Sequence, residues 1–153
     1  MKNIFKVLII NLIVCVGFIP TMAQPLTKVW DKRFGGAGFD DMHSMVATAD
    51  GGFLLGGTSD SDADGDKSQA SQGGTDYWVV KIDGSGNKVW DKRFGGAGYE
   101  IMSCMIATAD GNFLLGGTSG SDANGDKSEA SQGSSDYWIV KIDGDGNKLW
   151  DKR

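Results

Sequence analysis

KVWDKRFGGAGFDDMHSMVATADGGFLLGGTSDSDADGDKSQASQGGTDYWVVKIDGSGN, residues 28–87, is followed at once by KVWDKRFGGAGYEIMSCMIATADGNFLLGGTSGSDANGDKSEASQGSSDYWIVKIDGDGN, residues 88–147. Of the 60 aligned positions 14 differ and 46 are identical. Self-similarity at such a period is the mark of a stacked repeat architecture, in which each unit buries its apolar face against the next.

Each unit holds four runs of β-branched, aromatic and apolar residues, punctuated by Gly, Asp and Asn, and each run reads as a strand. In the first unit, MHSMVATAD leads through Asp50-Gly51, a strong hairpin dipeptide, into FLLGGTS. The acidic loop DSDADGDKS follows, then DYWVVKID, the turn GSGN and KVWDKRF. Phe53, Leu54 and Leu55 are consecutive, which predicts a strand covered on both faces. No segment sustains a period of 3.6. The expected fold is all-β, built of two four-stranded antiparallel sheets that stack as blades, with one extra outer strand at the N-terminal side.

The stretches FGGAGFDD, ATADGGFLLGGTS and DYWVVKIDGSGN, followed by WDKRFGG, resemble the β-propeller repeats of secreted bacterial proteins, especially large exported surface proteins of Bacteroidetes. The resemblance spans the chain beyond its N-terminal leader. It implies an Asp-led innermost strand and a Trp-led outermost one in each blade. Blade one would then occupy 40–94 and blade two 95–153, its first strand starting at about Glu100. Residues 24–39 would supply the extra outer strand, at 29–34, and its connection. Propellers typically have four to eight blades, and this sequence holds two. Two blades leave two apolar faces without a neighbour. A face of about 300 to 600 Å² would forgo about 7 to 15 kcal/mol at about 25 cal/mol per Å². The chain is therefore expected either to self-associate or to be one piece of a longer protein with further blades. Its last residues, WDKR, stop short of the FGG that twice follows this tetrapeptide, which favours the second expectation.

The N-terminal sequence MKNIFKVLIINLIVCVGFIPTMAQ carries Lys2 and Lys6, an apolar run over 7–19, Pro20 and a small-residue site at Ala23. This is the pattern of a secretory signal peptide over 1–23. The run is too short to span a membrane, so a secreted or cell-surface location is expected, with no membrane-spanning segment. Lipidation at Cys15 is disfavoured because Val14 precedes it where a small residue would be expected. Loss of residues 1–23 removes two lysines and no acid, moving the formal charge from −5 to −7. Such a surface repels phosphate backbones and argues against nucleic acid as a partner. Only Cys104 then remains, so no intramolecular disulfide can form. Its counterpart is Ser44, which predicts a small side chain packed in a strand.

The chemistry-bearing candidate is the acidic loop. Asp60, Asp62 and Asp64 stand at positions 1, 3 and 5 of a calcium loop, Gly65 at 6, Asp66 at 7 and Ser68 at 9. Position 12 is Ser71, where a calcium-binding EF-hand has a bidentate Glu. In the second unit the first ligand becomes Gly120 and the third Asn124. Calcium, as the one cofactor this pattern suggests, would bind weakly, at about 10⁻⁴ to 10⁻³ M. Against it stands a solvated loop of the residues that loops favour.

No catalytic constellation emerges. His43, the only histidine, becomes Ser103 in the second unit, and no G-x-S-x-G motif accompanies it. Asp41 becomes Ile101, and adjacent acids on a strand face opposite ways, so Asp40 and Asp41 do not form a glycosidase pair. FGGAG and LLGGTS open no helix and read as turn and bulge glycines. DGSGNKVW and DGDGNKLW are similar to Asp-box hairpins but have different spacing, and read as turns. Trp30, Trp78, Trp90, Trp138 and Trp150 read as packing residues. The expected function is a secreted, non-catalytic module that binds a protein or glycan or serves as a surface scaffold. The alternative is part of a secreted propeller hydrolase whose catalytic residues lie outside this chain.

Overall fold

The computed structural model describes residues 27–153, and the expected signal peptide lies outside them. Eight strands follow one another: β1 Asp40–Ala47, β2 Phe53–Ser59, β3 Asp76–Ile82, β4 Lys88–Phe94, β5 Glu100–Ala107, β6 Phe113–Ser119, β7 Asp136–Ile142 and β8 Lys148–Lys152. They form two four-stranded antiparallel sheets, ordered β1-β2-β3-β4 and β5-β6-β7-β8. Among the described residues no helix is long and apolar enough to cross a membrane.

Local chemistry explains the turns. Thr48 and Asp50 close the β1–β2 hairpin. Gly51, at φ 82°, takes the left-handed position that a side chain would strain, and its amide donates to the Thr48 carbonyl at 3.0 Å. The GSGN turn is organised by Asp83, whose Oδ1 accepts from Ser85 N at 2.8 Å and Asn87 N at 2.9 Å. Asp143 repeats both bonds in the second sheet.

The glycine pairs of LLGGTS have a packing reason. Met42 pairs with Gly57 and Ser44 with Gly56, so His43 is an extra residue in β1, a β-bulge. The bulge drives the β1 backbone towards β2. A Cβ on Gly57 would come within 1.8 Å of the Asp41 carbonyl oxygen. The same shift falls between Met102 and Cys104, making Ser103 the second bulge residue. His43 is thus an exposed bulge residue, with Nε2 at 3.2 Å from Asp41 Oδ2.

The two sheets pack face to face. Leu54, Tyr77, Val79 and Phe94 of the first join Met102, Met105, Phe113, Leu115, Trp138, Val140 and Ile142 of the second in one core. The Tyr77 and Trp138 rings lie 5.0 Å apart, and the Tyr77 hydroxyl donates to the Trp138 carbonyl at 3.1 Å. Polar contacts fix the alignment. Met105 N donates to Ser44 Oγ at 3.1 Å, Met102 N to Thr58 Oγ1 at 3.0 Å, and Glu100 N to the Thr75 carbonyl at 2.8 Å. All of β3 is consequently buried, on both faces, whereas β7 alternates buried and exposed. The strand covered on both sides is therefore β3 more than β2, whose Phe53 and Leu55 are half-buried.

Two expectations are corrected. Residues 29–34 are not a strand, although 28–34 repeat the sequence of β4. The segment lies along the first sheet as β4 lies along the second. Trp30 sits beside Gly86 as Trp90 does beside Gly146, and Phe34 packs on Trp78, Val80 and Ile82. It lacks a neighbouring strand to complete a ladder, which β4 finds in β3. Cys104 is on β5 but exposed rather than packed: it holds the register position of Ser44, whose side of β1 faces the second sheet, and the same side of β5 faces away from the first sheet.

Candidate functional site

The acidic loop runs from the end of β2 to β3, and it faces the glycine-rich connection 35–39 that enters β1. Successive amides of that connection each meet a side-chain oxygen. Gly35 N donates to Asp66 Oδ2 at 3.3 Å, Gly36 N to Asp40 Oδ2 at 2.8 Å and Ala37 N to Asp64 Oδ1 at 2.9 Å. Gly38 N donates to Ser61 Oγ at 3.0 Å and Phe39 N to Asp60 Oδ1 at 2.5 Å. The small residues are required by this approach: a Cβ on Gly36 would stand 2.2 Å from Asp64 Oδ1, and one on Gly38 2.3 Å from Asp60 Oδ1.

The second sheet repeats the brace with altered residues. Gly95 N meets Asp126, Gly96 N meets Glu100, Ala97 N meets Asn124 Oδ1 at 2.7 Å, and Gly98 N meets Ser121 Oγ at 2.8 Å. Asn124 keeps the bond that Asp64 makes because an amide carbonyl accepts as a carboxylate does. Glu100 substitutes for Asp40 on the same grounds. Gly120 has no side chain to replace Asp60.

Of the five residues expected to ligate calcium, Asp60, Asp64 and Asp66 are thus directed at three different amides of the connection. Asp62 is exposed, and its carbonyl accepts from Asp64 N at 2.8 Å. Ser68 is exposed too, its amide held by Asp91 Oδ2 at 2.8 Å. No group of three or more acidic, histidine or cysteine side chains among the described residues is arranged to hold a metal ion. From this geometry, Asp64→Asn is expected to leave stability within about 0.5 kcal/mol of the parent, and Asp64→Ala to cost about 1 to 2 kcal/mol. Urea unfolding of the two variants checks this.

The loop is also anchored from beneath. Lys67 is buried, and its Nζ donates to the Ser61 carbonyl and Ser71 Oγ, both at 2.7 Å. Burial pulls its pKa down, while the carboxylates of Asp76 and Asp40 pull the other way. Lys127 makes the same pair of bonds to Ser121 and Ser131. Asp91 ties the loop to the outer strands: it accepts from Ser68 N, from Trp78 Nε1 at 3.1 Å and from Lys88 Nζ at 2.9 Å. Burial pushes its carboxyl up, but these three donors outweigh burial and hold it below the usual range. Asp151, Trp138, Ser128 and Lys148 reproduce the arrangement.

Where the sheets meet, the structure holds a constellation that no motif in the sequence marks. Asp76 and Glu100 are both fully buried, with Arg93 beside them. Asp76 Oδ2 accepts from Gln72 N at 2.6 Å, whereas its Oδ1 meets no donor. Glu100 receives Ser119 Oγ at 2.6 Å, Ser121 Oγ at 2.7 Å and Gly96 N at 2.8 Å. The Arg93 guanidinium lies 4.0 Å from Asp76 and donates to Asp126 at 3.1 Å. Burial pushes the Asp76 carboxyl up to about 6; the Gln72 amide and Arg93 pull it down, and Glu100 adds to the rise. The only sequence signal for this pair was an acid at the head of β3 and another at the head of β5, positions that become neighbours only when the sheets stack.

The structure puts these polar side chains to holding backbone and joining sheets. Neither a family model nor a curated protein matches the chain.

Proposed function

We propose that the chain is an exported, non-catalytic β-propeller module that presents braced loops to a protein or glycan partner or serves as a surface scaffold. The observation that carries this reading is the brace itself. In both units the acidic loop spends its oxygens on the amides of the glycine-rich connection that enters the sheet's first strand, so the loop is a braced rim element. Its outward positions, including Asp62, Ser68 and Ala70, remain exposed. The propeller reading draws support from two sheets of equal topology and register, stacked through their faces. A glycan array and a pull-down from surface extracts with the folded chain test the binding role. Retention that is lost on Ser68→Arg supports it; no ligand from either screen overturns it.

Calcium at Asp60, Asp62, Asp64, Asp66 and Ser68 makes a different prediction from bracing, and the two readings separate at Asp62. On the bracing reading, Asp62→Ala changes stability by less than about 0.5 kcal/mol, and millimolar Ca²⁺ raises the melting temperature no more than Mg²⁺ does. A calcium site would give a larger rise with Ca²⁺, about 1.4 kcal/mol at ten times Kd, and Asp62→Ala would abolish it. Thermal melts of parent and variant in each cation decide between them.

A further inference from the structure

Among the described residues two sheet faces stand uncovered, and they are the two halves of the interface the molecule already contains. On the second sheet, Tyr137 is 82% exposed and Ile139 41% exposed, although their counterparts Tyr77 and Val79 are fully buried. On the first sheet, Met42 and Met45 are exposed, although Met102 and Met105 are buried. Beside Met42 a cavity of about 260 Å³ opens, lined by Phe34, Leu55, Gly57, Trp78 and Val80. Their counterparts Phe94, Leu115, Trp138 and Val140 lie in the core shared with Tyr77, and Gly117, the counterpart of Gly57, lies against the Tyr77 hydroxyl. The cavity is thus the place a tyrosine at the head of a preceding third strand would fill.

The polar contacts have counterparts as well. Ser135, Asp136, Tyr137 and Arg153 stand where Thr75, Asp76, Tyr77 and Arg93 do, and Gly38, Asp40, Asp66 and Trp78 stand where Gly98, Glu100, Asp126 and Trp138 do. These donors and acceptors are kept in kind, whereas the Ser44 hydroxyl that meets Met105 is replaced by the Cys104 thiol.

One element decides how such a contact is made. Residues 28–34 already occupy the position of an outer strand on the first sheet's open side, with Lys28 Nζ on Asp31 Oδ2 at 3.0 Å as Lys88 sits on Asp91. A docked sheet could not bring its own β8 to the same place. Residues 28–34 have the sequence of β4, including the Phe that pairs with Tyr77.

We propose that copies of this chain associate head to tail, the open face of the second sheet seating on the open face of the next copy's first sheet, with residues 28–34 of that copy replacing β8 against β7. In this arrangement Phe34 pairs with Tyr137, and Asp31 takes over the bonds of Asp151 to Trp138 and Ser128. The contact is heterologous, so repetition closes a ring if the rotation per sheet allows it. The proposal draws on the sheet interface and not on the binding role, so a failed ligand screen leaves it standing.

Sedimentation of the chain across micromolar to millimolar concentration is the first test, with discrete oligomers expected. Tyr137→Arg and Asp31→Ala each alter an exposed side chain, so the variants should keep the parent melting temperature at low concentration while associating at least tenfold more weakly. Asp151→Ala should lower the melting temperature of the dilute chain yet leave association within about threefold. A cysteine pair fixes the orientation. Ser44 touches Met105 in the existing interface, so Cys104 should touch Met45 of the next copy. Met45→Cys under mild oxidation should give a ladder of covalent oligomers. A chain that stays monomeric to millimolar concentration, association indifferent to Tyr137→Arg and Asp31→Ala, or a parent chain that oxidises to a single Cys104–Cys104 dimer would each overturn the proposal.

Discussion

Tyr77→Ala is expected to cost about 3 to 5 kcal/mol of unfolding free energy, while Tyr137→Ala in the dilute chain costs less than about 0.5 kcal/mol. The two tyrosines share the sequence context SDYW or TDYW and the same place in the register, opposite Thr58 and Thr118. Tyr77 is fully buried, stacks at 5.0 Å on Trp138 and donates its hydroxyl to the Trp138 carbonyl. Its removal leaves a cavity between the sheets, forgoes an aromatic pair and strips that carbonyl of a donor. Tyr77→Phe isolates the last contribution and should cost about 1 kcal/mol. Denaturant unfolding at a concentration below association measures all three. Equal costs at positions 77 and 137 would mean that the sheets do not pack through this face.

The second large effect is a gain. Asp76→Asn should raise the unfolding free energy at pH 7 by about 2 to 3 kcal/mol, and the gain should vanish towards pH 4. The carboxyl is fully buried beside Glu100, and it titrates near 6 in the folded chain against 3.8 when unfolded. A raised carboxyl pKa means that the folded state keeps a proton the unfolded state has released. The Asp76 contribution is therefore most favourable below about 4, falls as pH rises from about 4 to about 6, and is a constant penalty above that. An asparagine keeps an acceptor for Gln72 N and offers Glu100 a fixed donor, so nothing is left to ionise at that position. Stability curves for both proteins from pH 4 to 8 should converge at the acid end. Parallel curves, or a variant less stable at pH 7, would show that Arg93 already compensates the charge.

Below pH 4 a different set of groups takes over. Asp50 and Asp110 titrate well below the usual carboxylate range, Asp50 chiefly through its hydrogen bonds to Thr48 and Lys81, Asp110 through those to Lys141 and Thr108. Their bonding favours the ionised form, so their contribution is present above about 4 and is lost as pH falls. The parent chain should accordingly be most stable in mildly acidic solution.

Much of the fold was legible because its signals are local. Asp-Gly dipeptides, runs such as DYWVVKI and the 60-residue self-similarity lead directly to eight strands in two sheets of equal register. The acidic loop was legible as something special, yet its role was not. DSDADGDKS carries the spacing of oxygen ligands, and nothing in that spacing says which way each oxygen points. The partners of those oxygens lie more than 20 residues earlier, in FGGAGF, and reach them only once the connection folds back on the loop. The substitution of Asn124 for Asp64 was the available clue, since it keeps an acceptor and drops a charge.

By itself, then, the sequence determined the period, the strands, the hairpins and the small residues that let β1 bulge against β2, because each depends on backbone preferences or contacts within one unit. Tertiary structure alone decided which of two identical residues is core. Tyr77 is buried and Tyr137 exposed, Asp76 lacks a donor at Oδ1 while Asp136 is partly exposed, and 88–94 is a strand while 28–34 is not. The local sequences are nearly the same in each pair. What differs is whether a sheet stands on the other side, and full burial, a desolvated carboxyl and a completed ladder at these positions come with one.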